Sequence, residues 1–246
     1  MSARKEGAAG AVQEKVVELG EYKVNVVIAG AGPAVVMLHG EDKRPSWRDW
    51  EGFLGLADRF RLVIPDLIGS GKSSHPNEVP DYKAQARIVH ELLEAVSVDR
   101  ATLAGYSWGG QVALEFALNW PESVDSLILV ASTYDKSQLP KLANIRKPSL
   151  VVWAEDDLVT QLKAGYLLRD ALGTSKLEVL KPVAKDPKHD FTFAHRLLAS
   201  RTDELIKLFR SFLASQSSST AEPPELEKEL RGIALKQETE KTWGLG

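Results

Sequence analysis

Residues 101–120 read ATLAGYSWGGQVALEFALNW, and this stretch decides the fold. Its first four residues are apolar or small, as in a buried strand, and its last ten have the apolar spacing of a helix that stops before Pro121. Between them, Gly-Tyr-Ser-Trp-Gly at 105–109 fits the pattern G-x-S-x-G, with a glycine on each side where a neighbouring chain passes too close for a Cβ. A strand, a sharp turn and a helix in this order push the serine oxygen out above a sheet. The stretch predicts that Ser107 is a nucleophile, and the alternative is a glycine-rich turn whose serine caps the helix.

A second glycine-rich stretch, PDLIGSGKSS at 65–74, raises the question of a nucleotide site. A phosphate-binding loop needs G-x-x-x-x-G-K-[ST] between a strand and a helix. Counting back from Gly71, the first glycine of that pattern falls on Asp66, whose carboxylate would face the phosphates. The residues that follow include a proline and do not begin a helix. The sequence therefore predicts that Lys72 does not bind a nucleotide.

The composition narrows the classes of function. The chain has 246 residues, of which 43% are hydrophobic and 26% charged, which suits one α/β domain or at most two small ones with a full core. A net charge of −3 gives no support to a nucleic-acid partner. The absence of cysteine excludes disulfides, thiol nucleophiles and cysteine-based metal sites. Because no apolar run is long enough for a membrane span or a secretory signal, the expected location is the cytoplasm.

Strand-like and helix-like segments alternate along the chain. The strand-like segments are 24–29, 35–38, 61–64, 101–104, 127–130, 150–153 and 177–180. The helix-like segments are 46–58, 81–96, 108–120, 161–172 and 202–214. Several of the strands are apolar on both faces, as a parallel sheet between two helix layers requires. The alternation predicts an α/β fold with a doubly wound, mostly parallel sheet and helices on both faces.

The two ends of the chain differ in composition from the middle. Residues 1–13 are small and polar and are predicted to be disordered, and residues 14–214 form the predicted domain. Residues 215–246 are predicted to be a linker and a C-terminal tail, because the stretch begins with serines and continues with two prolines. Leucine and isoleucine at 226, 230 and 233 would allow a short amphipathic helix in that tail.

In the order of its motifs, the sequence resembles the α/β-hydrolase fold family over residues 22–214. His39-Gly40 follows the strand-like segment 35–38, where the family has its oxyanion loop. Residues 65–73 resemble the family's D-x-x-G-x-G-x-S turn, so the resemblance explains the second glycine-rich stretch as a tight connection beside the active site. Ser107 takes the nucleophile position, and WAEDDLV at 153–159 resembles the family's W-G-x-x-D-x-V segment.

The resemblance implies a Ser-Asp-His triad. A serine hydroxyl needs a base to take its proton, and a buried carboxylate fixes the imidazole of that base. The family register favours Asp157 as the acid over Glu155 and Asp156. Two histidines compete for the role of base, His189 and His195. We expect His189, because it lies in the open-loop sequence PKHDF, whereas FAHRLLAS resembles a helical turn that carries His195 on its side, although the spacing of His195 to the last helix is closer to the family's.

The resemblance also implies an oxyanion hole made of two backbone N–H groups. One belongs to Trp108, the residue after the nucleophile, and the other to Glu41, which follows His39-Gly40. Glu41 departs from the family, which usually has an apolar residue there. The Glu41 carboxylate must point away from the oxyanion, because it would otherwise oppose the negative charge that the hole stabilises.

The implied function is a serine hydrolase that cleaves carboxylic ester-like bonds of a small molecule through an acyl-enzyme intermediate. The link 133–147 is too short for the helical cap that many members insert, so no large cap domain is expected. The same triad would serve a thioesterase, a C–C bond hydrolase or an aminopeptidase, and a slow-turnover small-molecule receptor is an alternative from another class. No cofactor and no metal are implied. Substrate identity and oligomeric state stay open.

Overall fold

The computed structural model describes residues 11–41, 45–182 and 192–219. Eight strands of these residues form one sheet in the order β1-β2-β4-β3-β5-β6-β7-β8. The strands are β1 Gln13–Leu19, β2 Tyr22–Ala29, β3 Ala34–Leu38, β4 Arg61–Pro65, β5 Ala101–Tyr106, β6 Val124–Val130, β7 Ser149–Ala154 and β8 Ser175–Leu180. From β4 to β8 neighbouring strands are parallel, and β1 and β2 add an antiparallel edge. The prediction of a mostly parallel α/β sheet is confirmed.

The helices follow the predicted order. They are α1 Tyr82–Ala95, α2 Trp108–Asn119, α3 Leu139–Leu142, α4 Leu162–Ala171, α5 Leu197–Ser200 and α6 Thr202–Ser219, with 3-10 turns at Trp47–Asp58 and Pro121–Ser123. All six residues of β5 and all six of β7 are buried, which is why both read as continuous apolar runs. The core of the domain is therefore the centre of the sheet, and both strands lead to its carboxyl edge.

Two features depart from the expected layout. Strand β1 was not predicted, because it lies at the edge of the sheet with mostly exposed side chains and so lacks the alternation that burial imposes. Helix α6 runs to Ser219, so the predicted linker from 215 is helical in its first five residues. The chain divides into two compact units, 1–210 and 211–246, and the structure describes the second only over 211–219.

As predicted, the described part of the chain carries no large cap between β6 and β7. Residues 131–148 form this link, and its only helix is the four-residue α3. Within the described ranges, none of the helices is long and apolar enough to cross a bilayer.

The GSGKS stretch wraps around a carboxylate of its own chain. Asp66, only 1% exposed, accepts hydrogen bonds from the N–H of Trp47 at 2.6 Å, the N–H of Lys72 at 2.9 Å and the amide of Asn25 at 2.8 Å. Gly71 has a φ of +52°, and a Cβ there would lie 2.2 Å from the Asp66 carboxyl carbon. The Lys72 N–H, which a phosphate-binding loop would offer to its ligand, is thus donated to Asp66. Asp66 also joins the loop to β2 through Asn25 and to the 3-10 turn through Trp47.

We expect Asp66→Ala to lower the free energy of unfolding by about 3 kcal/mol, since each buried donor left without an acceptor costs about 1–3 kcal/mol. The midpoint of urea unfolding measures this loss. Lys72→Ala is the matched control, because the Lys72 side chain is 65% exposed and its ion pair with Glu14 is on the surface. The control should change the free energy of unfolding by less than about 1 kcal/mol. Equal losses in the two variants would contradict the role assigned to Asp66.

Candidate active site

Ser107 sits in a strained turn between β5 and α2. Its backbone has φ 50° and ψ −117°, a positive φ that non-glycine residues rarely adopt. The surrounding backbone holds this conformation: the Ser107 N–H donates to the carbonyl of Val130 at 2.9 Å, and its own carbonyl accepts from the N–H groups of Gly110 and Thr133. Backbone strain of this kind persists only where several surrounding contacts hold it in place, and it is concentrated at functional sites.

The two glycines beside Ser107 make this turn possible, as the sequence predicted. A Cβ on Gly105 would lie 2.5 Å from the Cα of Gly110, and a Cβ on Gly109 would lie 2.3 Å from the carbonyl oxygen of Leu38. Both clashes are with backbone that cannot move aside. Any side chain at 105 or 109 would therefore push α2 away from β3 and β5.

His195 links Ser107 to Asp157. Its Nε2 lies 3.0 Å from Ser107 Oγ, and its Nδ1 lies 2.8 Å from Asp157 Oδ2. His189, the base that the sequence favoured, lies outside the described residues, and the structure places the alternative in the position that a base requires. The usable signal was the spacing to the last helix, because His195 comes just before α5 and α6. Tyr106 further anchors this segment by donating its hydroxyl to the His195 carbonyl at 3.1 Å.

Asp157 is the carboxylate that reaches this histidine. It is 3% exposed, and its Oδ1 accepts from the N–H groups of Val159 at 2.8 Å and Thr160 at 3.0 Å. The two other candidates of the segment, Glu155 and Asp156, are exposed, and Glu155 forms a surface ion pair with Lys181. The geometry therefore selects the residue that the family register favoured.

The carboxylate sets the tautomer of His195. An ionised carboxylate only accepts hydrogen bonds, so Nδ1 carries the proton and donates to Asp157. Nε2 is then the unprotonated nitrogen, and it can accept the hydroxyl proton of Ser107. This is the proton arrangement that activates a serine.

Two backbone segments meet beside Ser107. Trp108 is the first residue of α2, so its N–H has no acceptor within the helix. Across from it, the Gly40 backbone approaches so closely that a Cβ there would lie 3.1 Å from the Ser107 Cβ. The exposed Glu41 follows directly, and the next residues, 42–44, are not described. The structure thus brings the Gly40 backbone beside Ser107, and the oxyanion role of the Trp108 and Glu41 N–H groups stays a prediction.

His39 holds the Gly40 peptide in place. Its ring is 1% exposed, its Nδ1–H donates to the Gly40 carbonyl at 2.8 Å, and its Nε2 accepts the Leu67 N–H at 2.9 Å. Burial lowers the pKa of His39 below its ordinary value, which favours the neutral ring that can both donate and accept. His39 therefore connects the oxyanion loop to the turn after β4 and does not take part in the Ser107 contacts.

Comparison with known proteins agrees with this architecture. Residues 33–143 match the model of the alpha/beta hydrolase fold family. An uncharacterised protein of Mycobacterium tuberculosis is 35% identical over 167 residues, which cover 63% of this chain and 47% of that protein. A soluble epoxide hydrolase of a Corynebacterium species is 34% identical over 110 residues, which cover 44% of this chain and 38% of that enzyme. The chain thus spans about half the length of the curated relatives it matches, or less.

Among solved structures, a predicted CIB-like hydrolase from Thermoplasma acidophilum superposes with a TM-score of 0.72 at 21% identity. The match covers 82% of this chain and 98% of that one. At this identity the likeness concerns the fold, and it extends over nearly the whole described domain. Together with the family model, it identifies the chain as a protein of the α/β-hydrolase fold.

Proposed function

We propose that the protein is a serine hydrolase that cleaves carboxylic ester-like bonds of small molecules. The observation that carries the proposal is the continuous chain of hydrogen bonds from Ser107 through His195 to Asp157, with distances of 3.0 and 2.8 Å. These three residues are at most 8% exposed. A nucleophile, a base and an orienting carboxylate in contact define the geometry of nucleophilic catalysis.

The proposed reaction has two halves. Ser107 Oγ attacks the substrate carbonyl while His195 Nε2 takes the hydroxyl proton, and Asp157 stabilises the imidazolium that forms. His195 then gives this proton to the leaving alcohol, and the acyl group stays on Ser107 as an ester. A water molecule next attacks the acyl carbon and gives a proton to His195. The acid leaves, and Ser107 Oγ regains the proton.

The oxyanion of each tetrahedral intermediate needs hydrogen-bond donors that are already in place. We assign this role to the N–H groups of Trp108 and Glu41. Support comes from the position of Trp108 at the start of α2 and from the close approach of the Gly40 backbone to Ser107. The start of a helix also favours negative charge, because the helix dipole is positive at that end. Glu41 itself must keep its carboxylate away from this hole.

The short link between β6 and β7 supports substrates that enter an open cleft from solution. Residues 131–148 contain only the four-residue α3, so this segment cannot close over Ser107 as a cap domain would. We therefore expect small or soluble acyl substrates. The rate should follow ordinary saturation and should not jump when the substrate forms droplets.

Two assays on the full chain test the proposal. A fluorophosphonate probe should label one serine per chain, and p-nitrophenyl esters of graded acyl length should be hydrolysed with a preference for short chains. Labelling without turnover of any ester would favour the slow-turnover receptor of the same fold. Absence of both labelling and turnover would contradict the proposal.

A further inference from the structure

Thr160 contacts both Asp157 and His195, and no sequence motif predicts these contacts. It lies in the loop between β7 and α4, three residues after Asp157. Its hydroxyl oxygen is 2.9 Å from Asp157 Oδ2 and 3.1 Å from His195 Nδ1. Its backbone N–H donates to Asp157 Oδ1 at 3.0 Å. Thr160 therefore touches both carboxylate oxygens and the imidazole nitrogen that faces them.

The hydroxyl of Thr160 has one proton and two acceptors within reach. These are Asp157 Oδ2 at 2.9 Å and the carbonyl of Ala131 at 3.3 Å. His195 Nδ1 is not an acceptor, because it carries the proton that it donates to Asp157. A hydrogen bond to a charged oxygen is shorter and stronger than one to a neutral carbonyl. The hydroxyl therefore donates to Asp157 Oδ2.

This hydrogen bond limits the rotation of the carboxylate. Asp157 Oδ1 is held by two backbone N–H groups, those of Val159 and Thr160. The terminal torsion of an aspartate has a broad energy minimum and turns both carboxylate oxygens together, so a hydrogen bond at Oδ2 adds to the restraint that the two N–H groups impose at Oδ1. Without the Thr160 hydroxyl, His195 would be the one side chain among the described residues left to hold Oδ2. The hydroxyl thus fixes Oδ2 independently of the histidine.

A hydrogen bond from Trp153 also holds Thr160 in position. Its carbonyl accepts the indole N–H of Trp153 at 2.5 Å. Trp153 is fully buried in β7, so the anchor belongs to a buried strand of the sheet. The loop that carries Asp157 is therefore tied to the sheet through Thr160 as well as through its own backbone.

We propose that Thr160 is a positioning residue, whose hydroxyl holds the Asp157 carboxylate in line with His195 during the proton transfers of Ser107. The inference rests on the proposed serine-hydrolase function. The Thr160 hydroxyl contacts Asp157 and does not reach Ser107. Removing it should therefore slow the proton-transfer step and change substrate binding little.

Two substitutions separate the hydroxyl from the rest of the side chain. Thr160→Val removes the hydroxyl and keeps the branched shape, and Thr160→Ser keeps the hydroxyl and removes the methyl group. Neither affects the backbone bonds to Asp157 and Trp153. We expect Thr160→Val to lower kcat about tenfold to a hundredfold and to leave KM almost unchanged. This loss is a fraction of the ~10²–10⁴-fold that acid–base catalysis contributes. Thr160→Ser should stay within about threefold of the wild-type kcat.

The rate of fluorophosphonate labelling gives a second readout that needs no substrate. Labelling should be slowed in Thr160→Val and restored in Thr160→Ser. If the wild type is labelled and Thr160→Val is labelled equally fast, the inference is overturned and the proposed function is left intact. Equal losses in both variants would assign the effect to packing and would also overturn it. A wild-type protein that is never labelled would refute the proposed function first, and the inference would fall with it.

Discussion

Ser107→Ala is expected to reduce kcat by at least about 10⁴-fold, because loss of a triad nucleophile removes nearly all covalent catalysis. The alanine keeps the Cβ of the serine, so the turn with φ 50° and its backbone hydrogen bonds should remain. The unfolding midpoint should therefore match that of the wild type. Steady-state kinetics on the best p-nitrophenyl ester measures the effect, and a mass shift after fluorophosphonate treatment measures the labelling.

Ser70→Ala is the control for this prediction. Ser70 is a half-exposed serine of the loop that wraps around Asp66. It should keep both the ester activity and the stoichiometric label. Full labelling of Ser107→Ala, or activity within about tenfold of the wild type, would show that another residue is the nucleophile.

His195→Ala is expected to cause a loss of similar size, about 10⁴-fold or more in kcat, because Ser107 would lose its general base. His195 Nε2 lies 3.0 Å from Ser107 Oγ, within the range that proton abstraction needs. The double variant Ser107→Ala/His195→Ala should be hardly worse than either single variant, since the members of a triad act as a unit.

His189→Ala is the matched control, because the sequence alone favoured that residue. It should keep most of the wild-type rate, and both histidine variants should fold normally. The reverse pattern, with His189→Ala inactive and His195→Ala active, would show that the contact between His195 and Ser107 does not carry the reaction.

Much of the architecture follows from local sequence. The continuous apolar runs of β5 and β7 predict buried parallel strands, because a strand covered on both faces has no polar positions. The turn at Ser107 is equally recognisable from local sequence, since it has a glycine on each side, and the folded chain shows that backbone passes within 2.5 Å of the missing Cβ atoms. Asp157 was favoured because residues 153–159 resemble the family's W-G-x-x-D-x-V segment, and in the structure its Oδ2 lies 2.8 Å from His195 Nδ1.

Other features have no local signal. Strand β1 exposes most of its side chains, so burial leaves no pattern on it. Asp66 looks like a defect in a phosphate loop, and only the folded chain shows that it accepts hydrogen bonds from β2 and from the 3-10 turn. Thr160 is an ordinary loop threonine until the fold places its hydroxyl 2.9 Å from Asp157 Oδ2.

The choice between His189 and His195 shows most clearly what the sequence leaves for the tertiary structure to decide. The sequence by itself determined the strand-like segments of the sheet, the turn that carries Ser107 and the segment that carries Asp157, because each leaves a recognisable pattern within a few consecutive residues. It reduced the base to His189 or His195 and favoured the former from the character of the loop. His195 lies 88 residues from Ser107 and 38 from Asp157 in the chain, so their meeting is set by how β5, β7 and the segment before α5 pack at one edge of the sheet. Only the tertiary structure decides such a contact, because loop composition does not encode which side chain points inward.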